Sequence, residues 1–188
     1  SAGVQMATGS LNTLLNFDPE LPFVLYKGTN LWSVPLVVPG LTAKSLLSAI
    51  GPSGASVTRL DSATGKLWSY MPNFPDALNF PMLPGQGYYV VVKQKVQFTL
   101  MGDLASSTVT QLVKGTNLIG YSSLVTMKAS ALLSTVSGSQ GKSLTYLDAA
   151  TGKLKSYMPS FPSALDFDVV SGRAYFLVTD GPGTLTVP

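Results

Sequence analysis

From about Leu25 onward, short apolar runs alternate with turn residues. "FVLYKGTNLWSVPLVV" reads as a strand, a KGTN turn and a second apolar stretch, because Gly and Asn tolerate the backbone angles of a reversal. Ala43, Leu46, Leu47 and Ile50 then fall at i, i+3, i+4 and i+7. That is the spacing of one helix face, with Thr42 placed to cap the start and Gly51 to stop it. "VTRLDSATGKLWSY" predicts a hairpin in which Asp61 accepts bonds from the following N–H groups and Gly65 takes the left-handed conformation. A proline-bearing connection, "MPNFP", leads to two further strands, "GYYVVVK" and "VQFTLMG".

The series is then written again. Asp61 and Asp148 stand 87 positions apart, and the same offset joins KGTNL at 27 to KGTNL at 114. It also joins Tyr88-Tyr89 to Tyr175-Phe176 and "FTL" at Phe98 to "LTV" at Leu185. The second helix face (Ala129, Leu132, Leu133, Val136, with Gly138 expected to end it) matches at an offset one smaller, so the loop after it carries an extra residue. The expectation is a mainly β protein with one short helix per repeat. Residues 1–102 hold an N-terminal segment plus repeat 1 and residues 103–188 hold repeat 2. Each repeat is expected to be a small sandwich- or barrel-like unit. A unit of ~80 residues buries too little of its surface to be secure alone, so the two are expected to pack as a pseudo-twofold pair.

Composition narrows the function more than the fold. Of 188 residues 45% are apolar and only 11% charged, well under the ~25% usual in soluble domains, so Ser, Thr, Asn, Gln and Gly must supply the polar surface. That leans toward extracellular or assembled proteins. The net charge of +3 comes from scattered lysines and two arginines, Arg59 and Arg173, and lacks the concentrated basic patch of a nucleic-acid binder. Lys93 and Lys95, the tightest pair, are expected on one side of a strand. No apolar run reaches the ~20 residues of a membrane helix. The opening "SAGVQMATGS" has no basic and apolar leader pattern, so for an exported protein the signal is expected to have been removed.

Positions that differ between the copies point to exposure. Trp68 corresponds to Lys155, and an ammonium is not buried unpaired without a cost of several kcal/mol, so this face is expected to be open in both copies. Tyr70 and Tyr157 lie two residues on, and Arg59 exchanges with Tyr146. An exposed Trp68–Tyr70 strip, with Arg59, Tyr146 and Tyr157 beside it, is the candidate ligand-binding surface, suited to stacking on sugar rings or a partner's side chain. Trp32 exchanges with Ile119 and is expected in the core. Gly85 and Gly172 match, whereas Gly87 corresponds to Ala174, so the first of each pair is the one that needs glycine's backbone freedom.

Catalytic chemistry finds little support. The chain has no Cys and no His, which removes thiolate nucleophiles, the usual metal ligands and the usual general base at neutral pH. "GQGYYV" leads into a strand where a nucleotide-binding loop would open a helix. Ser139 and Lys142 match S-x-x-K, but in a loop and in one copy only. Asp166 and Asp168 are the closest acidic pair, and a hydrolase using them is the enzymatic alternative, although copy one has Asn79 and Pro81 there. Each D-x-x-T-G turn offers one carboxylate, too few for a calcium loop. No catalytic residue, metal site or cofactor is expected.

The quoted motifs, GTNLWSVPL, the short Leu-rich helix, DSATGKLWSY and GQGYYV, resemble a repeat module of secreted and surface-anchored prokaryotic proteins. Its usual form is G-x-N-L-I-S-x-P, an Asp/Gly hairpin with Trp-x-x-Tyr, then G-x-G-Y-W. Copy two departs at Gly120-Tyr121 and at Arg173-Ala174. The resemblance implies a noncatalytic extracytoplasmic module at the cell surface: a structural, appendage or adhesion unit whose partners are other surface or envelope proteins or its own copies. The alternative is a carbohydrate-binding module using Trp68 and Tyr70. Strand edges within "VVVKQKVQFTL" are expected to serve in subunit contacts, with Lys93 and Lys95 limiting uncontrolled pairing.

Overall fold

The computed structural model describes residues 19–187; the opening decapeptide lies outside them. The first half runs β1 (Glu20–Leu25), β2 (Gly28–Ser33), α1 (Ala43–Ile50), β3 (Gly54–Asp61), β4 (Lys66–Tyr70), β5 (Gly87–Val92) and β6 (Val96–Met101). The second half repeats it as β7 (Thr108–Leu112), β8 (Gly115–Gly120), α2 (Ala129–Ser134), β9 (Gly141–Asp148), β10 (Lys153–Tyr157), β11 (Ala174–Thr179) and β12 (Gly183–Val187). Four antiparallel strands pair as β2-β5-β3-β4 and as β8-β11-β9-β10, while β1 pairs with β6 and β7 with β12. The protein is therefore mainly β, in two roughly similar halves.

Several elements form for the reasons the pattern gave. In α1, Thr42 Oγ accepts from Ser45 N at 3.2 Å and Ser45 Oγ accepts from Thr42 N at 2.8 Å, a reciprocal cap. Its Ala43, Leu46, Leu47 and Ile50 are all buried. The KGTN asparagine does more than turn the chain. Buried Asn30 accepts from Tyr26 N at 2.9 Å and donates to the carbonyls of Tyr26 at 2.8 Å and Val90 at 3.2 Å, tying β1, β2 and β5 together. Asn117 repeats this with Val113 and Leu177.

Three expectations need correction. The second helix ends at Ser134, and Val136 lies in a two-residue strand opposite Leu185. Thr135 Oγ donates to Leu132 O at 2.8 Å, satisfying a terminal carbonyl, and β-branched Val136 continues with Ser137 onto the edge of β12. Lys93 and Lys95 sit in the turn between β5 and β6, not along a strand. β5 is an inner strand paired on both sides, so only β6 of that stretch has an unpaired side. Asp103–Leu104 pair with Leu36–Val37, so a short ladder links the start of the second segment to the first half.

Two cores lie inside the halves, one built on Trp32, Val57, Tyr88 and α1, the other on Ile119, Leu144, Tyr175 and α2. Between them a third cluster gathers Leu31 and Leu118, Leu60 and Leu147, Tyr89 and Phe176. Its members are counterparts at the same repeat position, so the halves meet through equivalent faces, with Tyr89 and Phe176 rings 6.0 Å apart.

Candidate binding surface

The hairpin β3–β4 carries the strongest sequence candidate. Asp61 Oδ1 accepts from Ala63 N at 3.0 Å and its Oδ2 from Thr64 Oγ at 2.7 Å, while Gly65, at φ 70°, donates to Asp61 O at 2.7 Å. The Thr64 hydroxyl, helped by the backbone bonds of the turn, holds the Asp61 carboxyl below its ordinary range against the opposing effect of burial. This turn fixes the register that sets Arg59 opposite Trp68. Trp68 is 48% exposed, and the Arg59 guanidinium lies 5.7 Å from its ring and 5.1 Å from that of Phe80.

The rest of the expected strip is not displayed. Tyr70 is 1% exposed, and Tyr146 and Tyr157 are each 7% exposed. Alternation puts Tyr70 on the side of Trp68, but by the base of β4 that side has become interior: Tyr70 packs edge-on to Phe74 at 6.5 Å. Tyr157 occupies the same place in the second half. Tyr146 sits one strand in from the edge, against Phe167 at 4.7 Å and with Arg173 at 4.3 Å from its ring. Lys155 remains open to solvent and pairs with Asp148 at 3.3 Å. The exposed platform is therefore Trp68 flanked by Arg59, and it exists in one half.

Sequence reading missed a duplicated groove. In each half a depression opens between the helix, the start of the long hairpin strand and the proline-bearing loop. Its volume is about 750 Å³ in the first half, around Leu47, Pro52, Tyr70 and Phe74, and about 510 Å³ in the second, around Leu133, Ser139, Tyr157 and Pro159. Tyr70 and Tyr157 thus line grooves and do not extend the hairpin face. The first rim carries Lys44, which pairs with Asp76 at 2.7 Å, and Lys93; the second carries neutral Ser130 and Gln140. The signal was present as the recurrence of MPxFP beside a helix, but apolar loop residues alone do not reveal that a groove lies next to them.

The catalytic candidates are occupied by structural work. Asp166 accepts from Ser130 N at 3.0 Å and Ser130 Oγ at 2.5 Å, which caps α2 as Asn79 caps α1 through Lys44 N at 3.0 Å. Burial pushes the Asp166 carboxyl up, but these bonds outweigh it and hold the group low, the opposite of what a general acid needs. Asp168 pairs with Lys128 at 2.8 Å. Lys142 is spent on Asp180 at 3.0 Å and Gln140 at 2.6 Å at the surface and is not positioned as a base for Ser139. Among the described residues no three acidic side chains gather into a metal-binding cluster, and no helix is long and apolar enough to cross a membrane. The chain matches no known family model, no curated protein and no solved structure.

Proposed function

We propose that this chain is a noncatalytic extracytoplasmic surface or assembly module, a duplicated β unit that packs against copies of itself or other envelope proteins. The observation that carries this reading is the recurrence of exposed apolar side chains at matching positions of the halves. Leu67 and Leu154 are 61% and 63% exposed, and Met71 and Met158 are 39% and 37% exposed. Leu78 and Leu165 follow the same pattern. Isolated surface apolar residues are ordinary, but the same ones presented twice by one chain offer a bivalent surface. The low charge and the resemblance to a surface-protein repeat point the same way. Light scattering over rising concentration, with pull-down from cell-envelope fractions, tests it. Association weakened by Leu67→Asp with Leu154→Asp supports the reading; a monomer at every concentration with no envelope partner overturns it.

A second reading rests on Trp68. An exposed indole beside a guanidinium suits the apolar face and hydroxyls of a sugar, so carbohydrate binding remains the alternative, now without Tyr70. Trp68→Ala should abolish signal on a glycan array while costing less than about 1 kcal/mol of stability, since the ring is half exposed. Absence of any glycan signal from the unaltered chain removes this reading.

A further inference from the structure

The seam between the halves repeats itself about a pseudo-twofold axis. Ser33 N donates to Gly172 O at 3.1 Å, and its counterpart Gly120 N donates to Gly85 O at 2.9 Å. Trp32 bridges to Arg173, and its counterpart Ile119 bridges to Gln86. Near the axis each position faces its own counterpart: Ser33 faces Gly120, and Gly87 faces Ala174.

Neither glycine is there for its backbone angles; both are there for space. A Cβ on Gly120 would stand 2.7 Å from the Ser33 Cβ and closer still to the carbonyl oxygen of Gln86. A Cβ on Gly87 would stand 2.9 Å from the Ala174 Cβ, 2.7 Å from Leu118 Cγ and 2.8 Å from the carbonyl oxygen of Ile119. Heavy atoms do not approach so closely, so each facing pair as it stands sets one side chain against glycine, and the carbonyls of Gln86 and Ile119 close the same space. The first half supplies the side chain at one pair (Ser33) and the glycine at the other (Gly87). The second half supplies the reverse, Gly120 and Ala174.

A pair of two first halves would set Ser33 against Ser33, and a pair of two second halves would set Ala174 against Ala174. Each like pair collides once. The unlike pair avoids both collisions and adds bonds from Ser33 Oγ to Arg173 O at 3.0 Å and to Tyr121 O at 3.3 Å. We propose that Ser33, Gly87, Gly120 and Ala174 form a two-position key through which each repeat recognises the unlike repeat and rejects its own kind. The seam's partner is thus the opposite repeat, in the same chain or in a second copy whose seam has opened. Exchange between chains can then run only first half to second half. Such contacts join each chain to the next in a fixed order rather than like to like. This holds whatever the outer surface binds.

The test uses the full chain, followed by thermal unfolding. Gly87→Ala should lower the melting temperature by about 3 to 10 °C, the usual result of overpacking in a chain this size. Adding Ala174→Gly should return a measurable part of that loss, because the pair then carries its one side chain on the other half, while Leu118 and the Ile119 carbonyl remain close. Gly120→Ser should cost more, because its Cβ also meets the Gln86 carbonyl, and Ser33→Gly should restore the part due to the facing side chain. Gly181→Ala, whose Cβ would meet nothing closer than 3.6 Å, is the control and should leave the transition in place. If Gly87→Ala unfolds with the unaltered chain, or if neither second change rescues its partner, the key does not exist. Where a single variant fails to fold, recovery of a folded double variant establishes the key and its failure overturns it.

Discussion

In the first half a guanidinium rises from β3: Arg59 lies over Phe80 and beside Trp68, with Gln86 in the loop that precedes β5. In the second half the matching strand position is Tyr146, and the guanidinium comes instead from the loop, as Arg173 over the Tyr146 ring. Two positions have changed together, and a cation remains beside the paired phenols Tyr88 and Tyr175 in both. What is shared is therefore a requirement of the space, a cation above a stack of aromatic rings, and not a residue at an aligned position. The exposed Trp68 follows from the first solution, since Arg59 leaves its ring face accompanied at the edge of the sheet. In the second solution Lys155 takes that place and leans toward Asp148.

The likeness of the halves is tested most severely at the asparagines. Asn30→Ala and Asn117→Ala each strand several buried backbone groups, and each should cost about 3 kcal/mol or more in urea unfolding. Near-equal losses sharpen the equivalence; a loss in one half only breaks it.

The next effect is alkaline. Burial pushes the phenols of Tyr88 and Tyr175 from the ordinary 10 up to about 12, against the opposing pull of the neighbouring backbone bonds and the cation. Below pH 10 both hydroxyls are protonated whether or not the chain is folded, so their contribution is fully present. Between pH 10 and 12 the unfolded chain loses these protons first, and each tyrosine withdraws on the order of 2 to 3 kcal/mol. Stability should be level from pH 7 to 10 and fall beyond it. Tyr88→Phe and Tyr175→Phe should each remove a similar part of that fall, and an unchanged pH profile for either would show that the two tyrosines are not equivalent.

The smallest effect concerns the swap itself. Arg59→Tyr alone should destabilise by roughly 1 to 2 kcal/mol, because Phe80 and the Tyr88 hydroxyl lose their cation. Adding Gln86→Arg should recover most of it, and a double-mutant cycle in guanidinium measures the coupling. A coupling of zero would mean that the two arrangements are unrelated accidents.

How far the sequence could be read depended on the range of the forces involved. The D-x-x-T-G hairpin, the capped first helix and the KGTN turn were legible because their bonds close within a few residues. Duplication was legible from the chain's own comparison, and with it the demand for a shared seam. Tyr70 was misplaced because strict alternation describes a strand in isolation, whereas its burial is decided by Phe74 and the helix packed beside it. Val136 was misplaced because an amphipathic spacing does not disclose that β12 offers an edge for it. The grooves beside Tyr70 and Tyr157 were invisible for the same reason, being spaces between elements.

The sequence by itself determined that this protein is a twice-written β unit with two short helices and no His or Cys chemistry. Those properties rest on local periodicity, turn chemistry and composition. Tertiary structure alone decided which aromatic side chain stands in the open, where the cation sits over each ring stack, and why Gly87 and Gly120 are glycines. These last are matters of an ångström or less between segments some 87 residues apart in the chain. Close packing makes such distances decisive, and no pattern along one strand can encode them.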